Sequence, residues 1–317
     1  MTAGDRPAIE THALTKTFGS MTAVDGVDLV VPQGSVYAVL GPNGAGKTTT
    51  VRMLATLLRP DGGSAHVFGR DVVADATEVR SMIGVTGQYA SVDEDLTATE
   101  NLMVFSRLLG RSRRHSRARA HDLLEQFGLQ EAASKTLKNF SGGMRRRLDL
   151  AASLISRPPL LFLDEPTTGL DPRTRAQMWD TVRQLVAEGS TILLTTQYLE
   201  EADQLADRIA VIDRGKVVAE GTADGLKSSV GSSALVLTPV EPTAVALASS
   251  VAQRHVPMGA VTAGDHAVTV ALTDLAVVGR ILVALGSVGV ELAEVDVVKP
   301  SLDDVFFSIT GVGEDAA

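Results

Sequence analysis

The chain has 317 residues, a formal net charge of -9 and no cysteine. That length provides for about two domains and ample core, the acidic balance argues against nucleic-acid binding, and the missing thiols exclude disulfides and Cys-based metal or redox chemistry. Met1 to Arg6 has no apolar run, so no secretory segment is read there. The longest apolar candidate, Ile281 to Val290, is interrupted by Gly286 and Gly289 and is about half of a bilayer span. A soluble chain that reaches any membrane through a partner is expected.

In chain order, Ala8 to Leu14 and Asp28 to Val31 read as strands of an entry sheet, joined by a loop over Thr15 to Asp25. Phe18 falls in that loop and offers either a stacking platform for adenine or ordinary packing. Ser35 to Leu40 predicts a buried strand, and Thr49 to Leu58, apolar at Val51, Leu54, Ala55 and Leu58, predicts a helix. Between them runs Gly41-Pro42-Asn43-Gly44-Ala45-Gly46-Lys47-Thr48-Thr49, which fits G-x-x-x-x-G-K-[ST]. A triphosphate needs a concave ring of backbone N–H donors, and glycines let the main chain approach it. The helix N-terminus adds partial positive charge. Lys47 is expected on the β- and γ-phosphates, and the Thr48 hydroxyl on Mg²⁺.

Further on, Arg59 to Gly63 reads as a turn, Ser64 to Gly69 as a short strand, and Met82 to Thr86 as a strand leading to Gln88. Helices are predicted over Glu100 to Leu109, Ser116 to Gly128 and Gly142 to Ile155, with the arginines 111 to 119 on a solvated face. Strands return at Leu160 to Leu163, Thr191 to Thr195 and Ile209 to Asp213, with helices over Arg173 to Glu188 and Leu199 to Ala206. Such alternation implies a mostly parallel sheet. The strand Leu160 to Leu163 delivers Asp164 to the Mg²⁺ shell and Glu165, one residue on, as general base.

Ser228 to Ser233 reads as a linker. Beyond it the predicted order is strand 234–240, helix 242–253, strands 256–262 and 267–272, helix 275–285 and strand 291–298, the pattern of a split βαβ sandwich. Ser301 to Ile309 predicts a final helix, with Asp303 and Asp304 in its first turn.

Phe140-Ser141-Gly142-Gly143-Met144-Arg145 resembles the signature sequence of ABC-type ATPases. Ser-Gly-Gly before a helix is a second anion cradle, or more simply a helix N-cap at Ser141. A second cradle in a chain with one phosphate loop suggests a site completed by another copy. The resemblance covers the first 220 residues. It implies Walker A over Gly41 to Thr48, a Q-loop glutamine at Gln88 that also reaches the metal, and the signature at Ser141 to Met144. It further implies Walker B over Leu160 to Asp164, the catalytic glutamate position at Glu165, a D-loop at Gly169-Leu170-Asp171 and an A-loop aromatic at Phe18. A narrower match, carried by residues 141–151, 195–203 and 300–306, is similar to the daunorubicin-resistance branch of bacterial exporter ATPases. Gln197 stands where most ABC ATPases carry the switch histidine. The narrower branch shares this glutamine, whose amide donates a hydrogen bond but cannot become cationic.

The resemblance implies a P-loop NTPase core of the α/β class over residues 1–227, with a helical subdomain over about 89–160. A small C-terminal α+β domain of split βαβ type over 228–317 would follow. It implies an ATP-hydrolysing motor subunit of an exporter of drug, antibiotic or lipid-like cargo. Two copies, identical as the simplest case, would sandwich ATP and Mg²⁺ and drive an integral-membrane permease from the cytoplasmic face of a bacterial membrane. The alternative is a soluble ABC ATPase acting on ribosomes or nucleic acid, which one cassette without sustained heptads disfavours.

Overall fold

The protein is described by a computed structural model over residues 6–87, 92–230, 233–272 and 274–310, so Gln88 lies outside the described residues. The chain divides into two compact units between Ala223 and Asp224.

β1 (Ile9–Phe18) and β2 (Met21–Val31) form an antiparallel hairpin. The expected loop over Thr15 to Asp25 is therefore mostly strand, and Phe18 ends β1, paired with Met21. Several register shifts along this hairpin break the strict alternation that a sequence reading depends on. β3 (Val36–Leu40) leads into the glycine loop and α1 (Lys47–Leu54). α1 starts earlier than predicted because Gly46, at φ 108, turns the chain directly into Lys47. It also stops earlier: Thr56 adopts φ 62, and the Leu57 N–H donates to the Arg52 carbonyl at 2.8 Å. That is a Schellman-type end with threonine in the place usually taken by glycine.

β4 (Gly62–Val67) and β5 (Arg70–Asp71) complete the entry sheet, in the order β2-β1-β4-β5. α2 (Ala76–Met82), absent from the predicted order, precedes β6 (Ile83–Thr86). The helical part comprises α3 (Ala98–Leu108), α4 (Arg113–Gln126) and α5 (Gly142–Ser153). Thr97 opens α3 with a full capping box to Glu100.

β7 (Leu160–Asp164), α6 (Pro172–Ala187), β8 (Thr191–Thr196), α7 (Leu199–Leu205), β9 (Arg208–Asp213) and β10 (Lys216–Gly221) finish the first unit. The six-stranded sheet has the order β10-β9-β3-β8-β7-β6, parallel throughout except at β10. β7 shows why its strand reads as a continuous apolar run. Leu160 and Phe162 enter one core with Tyr37 and Leu193, while Leu161 and Leu163 enter another with Leu148 and Leu194. A strand covered on both faces has no polar side.

α8 (Ala223–Val230) spans the division, so Ser228 to Val230 are helical rather than linker. The Ser228 hydroxyl donates to the Asp224 carbonyl at 2.7 Å, one turn back. The second unit contains β11 (Ala234–Pro239), α9 (Val245–Gln253), β12 (Val261–Ala263), β13 (Val268–Ala271), α10 (Ala276–Ser287), β14 (Leu292–Val298) and α11 (Leu302–Thr310). Its antiparallel sheet runs β12-β13-β11-β14, the split βαβ arrangement. The strand expected from Val256 begins only at Val261. Before it, Gly259 at φ 86 and an Ala260 N–H to Pro257 carbonyl bond of 3.1 Å hold a turn. Leu235, Leu237, Val268 and Val270 pack against Ala248, Val251, Ile281 and Leu285 of the two helices.

Candidate active site

The carboxyl ends of β3, β8 and β7 lie side by side, because Leu40 is in register with Thr196 and Asp164 with Thr195. Open parallel sheets gather their ligands at such an edge. The glycine loop after β3 follows the neighbouring backbone closely. A side chain at Gly41 would overlap the Ile212 carbonyl, and one at Gly46 the Ala23 carbonyl. These two glycines let the loop press against its own neighbours, whereas a Cβ at Gly44 would meet nothing within 4 Å.

Lys47 is buried, with 4% of its surface exposed. Its ammonium donates to the Gly41 carbonyl at 2.7 Å and the Pro42 carbonyl at 3.1 Å. It also lies 3.7 Å from Glu165 Oε1. Burial pushes the Lys47 pKa down, and the nearby carboxylates Glu165 and then Asp164 pull it back up. The Thr48 hydroxyl donates to the Asp164 carboxylate at 3.0 Å. Thr195, which the sequence reading did not single out, also donates its hydroxyl to Asp164. Its strand reads Thr-Ile-Leu-Leu-Thr-Thr, so no pattern marks Thr195 in the sequence, and only the pairing of β7 with β8 puts it level with Asp164. Paired hydroxyl and carboxylate oxygens suit a hard divalent cation, so Thr48 and Asp164 could hold Mg²⁺.

Glu165 is 6% exposed and has φ 49, left-handed for a residue that carries a Cβ. Such a conformation costs on the order of 1–3 kcal/mol and persists only where surroundings fix it. The Glu165 N–H donates to the Thr195 carbonyl at 3.0 Å, and the Thr168 hydroxyl donates to Glu165 Oε2 at 3.3 Å. The carboxylate thereby faces Lys47 instead of continuing the strand.

A pocket of about 240 Å³ is lined by Phe18, Met21, Ala23, the loop from Asn43 to Thr49, and Glu165. Phe18 is 47% exposed, with the Lys16 ammonium 5.6 Å from its ring centre. The structure therefore gathers Phe18, the loop, Thr48, Asp164 and Glu165. Ser141, Gly142, Gly143, Asp171 and Gln197 are not among the pocket's walls. Ser141 caps α5, accepting from the Met144 N–H at 3.3 Å. Asp171 caps α6, accepting from the Thr174 N–H at 3.0 Å and the Thr174 hydroxyl at 2.7 Å, which hold its carboxyl below the usual range. Gly143 lies against Thr174, the residue that donates to Asp171, so the first turns of α5 and α6 meet there. Gln197 is half-buried between β8 and α7.

The ABC transporter family model matches residues 24–168. The chain is 54% identical to the daunorubicin/doxorubicin resistance ATP-binding protein DrrA of Streptomyces peucetius, over 96% of this chain and 92% of that one. It is 43% identical to the doxorubicin resistance ATP-binding protein DrrA of Mycobacterium tuberculosis, over 96% and 94%. Among solved structures, a dimeric ATP-binding cassette in a post-hydrolysis state with ADP and phosphate superposes with a TM-score of 0.62 at 25% identity. That match covers 68% of this chain and 98% of the cassette. With the phosphate loop, the Asp-Glu pair and the signature segment in place, the chain belongs to the ATP-binding subunits of ABC transporters, in the daunorubicin/doxorubicin-resistance branch.

Proposed function

We propose that two copies of this chain drive a separate integral-membrane permease that exports a drug of the daunorubicin class, from the cytoplasmic face of a bacterial membrane. The observation that carries the reading is the buried Lys47–Glu165 pair, 3.7 Å apart beside the Thr48–Asp164 contact, in a chain 54% identical to DrrA. Among the described residues no helix is long and apolar enough to cross a membrane; in this reading the permease supplies the path for cargo.

In this reading Phe18 stacks on adenine, the loop amides and Lys47 hold the phosphates, and Glu165 takes the proton of the attacking water. Mg²⁺, held by Thr48 and Asp164 with Gln88, would neutralise developing charge on the phosphates. Ser141, Gly142 and Gly143 lie outside the pocket's walls, which suits a cradle offered to the partner copy's nucleotide. Asp171 supports that interface through Thr174. The second unit is an accessory, regulatory domain.

The test is co-purification with a permease, followed by ATP turnover in vesicles with and without daunorubicin. Stimulation of turnover that Lys47→Ala abolishes is expected. Turnover indifferent to both permease and drug would overturn the export reading.

Gln197 is read as a neutral donor to the γ-phosphate. Gln197→His is then expected to retain much of the activity, whereas the wild-type rate has no titration from this position between about pH 6 and 8. The histidine variant gains one near pH ~6.5. The check is kcat against pH for wild type, Gln197→His and Gln197→Ala. An alanine variant as fast as wild type would remove Gln197 from the reaction.

A further inference from the structure

The Glu165 backbone is anchored by a residue to which the sequence motifs assign no role. Arg146 lies on α5, three residues beyond Gly143. Its Nη2 donates to the Asp164 carbonyl at 2.9 Å and the Glu165 carbonyl at 3.1 Å, and its Nε donates to the Pro166 carbonyl at 2.9 Å. Successive carbonyls of an extended strand point to opposite sides. Three in a row can meet one group only where the chain turns, and the turn is at Glu165, the residue with φ 49. A planar guanidinium with five donors matches such a cluster; an ammonium, a single point of charge, does not.

The same group reaches a second segment. Arg146 Nη1 donates to the Gly87 carbonyl at 2.6 Å, immediately before Gln88. Asp149, one turn along α5 and 3% exposed, lies 3.8 Å from Nη1 and helps orient the fork. Burial pushes the Arg146 pKa down, while Asp149, Asp164, Glu201 and Glu165 favour the cation. A buried cation paired in this way stays charged and keeps its donors in a fixed geometry.

We propose that Arg146 is a positioning residue for hydrolysis: one guanidinium ties α5, the helix that begins at the signature segment, to the left-handed turn that aims Glu165 and to Gly87 ahead of Gln88. This rests on the reading of Glu165 as general base. Movement of α5 when its N-terminus meets a partner's nucleotide then resets the chain's own base. Arg146 itself touches neither substrate nor metal.

Arg146→Lys tests this, because it keeps the positive charge among the carboxylates but cannot span four carbonyls. Turnover of the purified full chain, ATP affinity and thermal melting are measured for wild type, Arg146→Lys and Arg146→Met. The expected result is a kcat lower by about 10–100-fold in both variants, the usual scale for loss of an orienting partner. ATP affinity should stay within about twofold, because Arg146 is not in the pocket's walls. A lysine variant with wild-type kcat would show that only charge is needed, and would overturn the proposal. So would a loss confined to ATP affinity, or a lysine variant that no longer folds, since the guanidinium would then serve the fold alone. The reading of Glu165 fails separately, if Glu165→Gln leaves turnover unchanged while Arg146→Lys lowers it.

Discussion

Glu165→Gln is expected to lower ATP turnover by roughly 10²–10⁴, the scale for removing a positioned general base. The substitution keeps size and keeps an acceptor for the Thr168 hydroxyl, which now bonds Glu165 Oε2 at 3.3 Å. It leaves untouched the bond that the Glu165 N–H donates to the Thr195 carbonyl and the one that the Glu165 carbonyl accepts from Arg146. Fold and nucleotide binding should therefore survive, and ATP should hold a dimer long enough to be seen by sedimentation. A second consequence concerns Lys47. Its pKa is lowered by burial and raised first by Glu165, then by Asp164. Removing the Glu165 charge removes the larger opposing effect, so the Lys47 pKa falls further. ATP binding by the variant should then weaken at a lower pH, on the alkaline side, than binding by the wild type. Unchanged turnover without an ATP-dependent dimer would refute the role of Glu165, and identical alkaline limits would refute its effect on Lys47.

The phosphate loop and the Asp164-Glu165 pair were legible because their chemistry is local. Glycines, a lysine and a hydroxyl must follow one another on a strand-to-helix turn, and two acids must follow a strand buried on both faces. The parallel sheet was legible for the same reason, since Leu160 to Leu163 has no polar alternate. What escaped depends on partners distant in sequence. Thr195 matters only because β7 and β8 pair in register, which puts it opposite Asp164. Arg146 lies in a run of three arginines on one helix. Only its fold neighbours separate it from Arg145, which pairs with Glu94, and from Arg147, which donates to the Phe127 carbonyl. The hairpin around Phe18 escaped for a different reason. Its repeated register shifts remove the two-residue period, so its residues read as a loop although they pair. At Ser228 to Val230, serine composition pointed to a linker, but hydroxyls bonding back to the preceding turn are compatible with helix.

Gly142→Asp is expected to abolish ATP-dependent dimerisation and hydrolysis while leaving ATP binding by the single chain within about twofold of wild type. The structure gives the reason for the second half. A Cβ at Gly142 meets nothing within 4 Å, and Gly142 is the first residue of α5, where an acidic side chain suits the helix dipole. The variant should fold. Gly143→Ala, in contrast, would press a methyl group into the Thr174 side chain, so it perturbs the chain itself and makes a poor probe. If Ser141, Gly142 and Gly143 hold the nucleotide of the partner copy, the new carboxylate meets a phosphate only across the interface, and closure fails by like-charge repulsion. Lys47→Ala fails for the opposite reason. It removes the buried cation from the chain's own pocket, so that chain should lose nucleotide affinity and all hydrolysis. Mixing the two inactive proteins separates the models. In a mixed dimer, one site combines the intact Lys47 of the Gly142→Asp chain with the intact signature of the Lys47→Ala chain, and the other site carries both defects. Turnover should therefore reappear on mixing, from that single sound site. If each protein folds and the mixture stays inactive, the signature segment does not act in trans. If Gly142→Asp alone destroys ATP binding by the single chain, that segment belongs to the chain's own pocket.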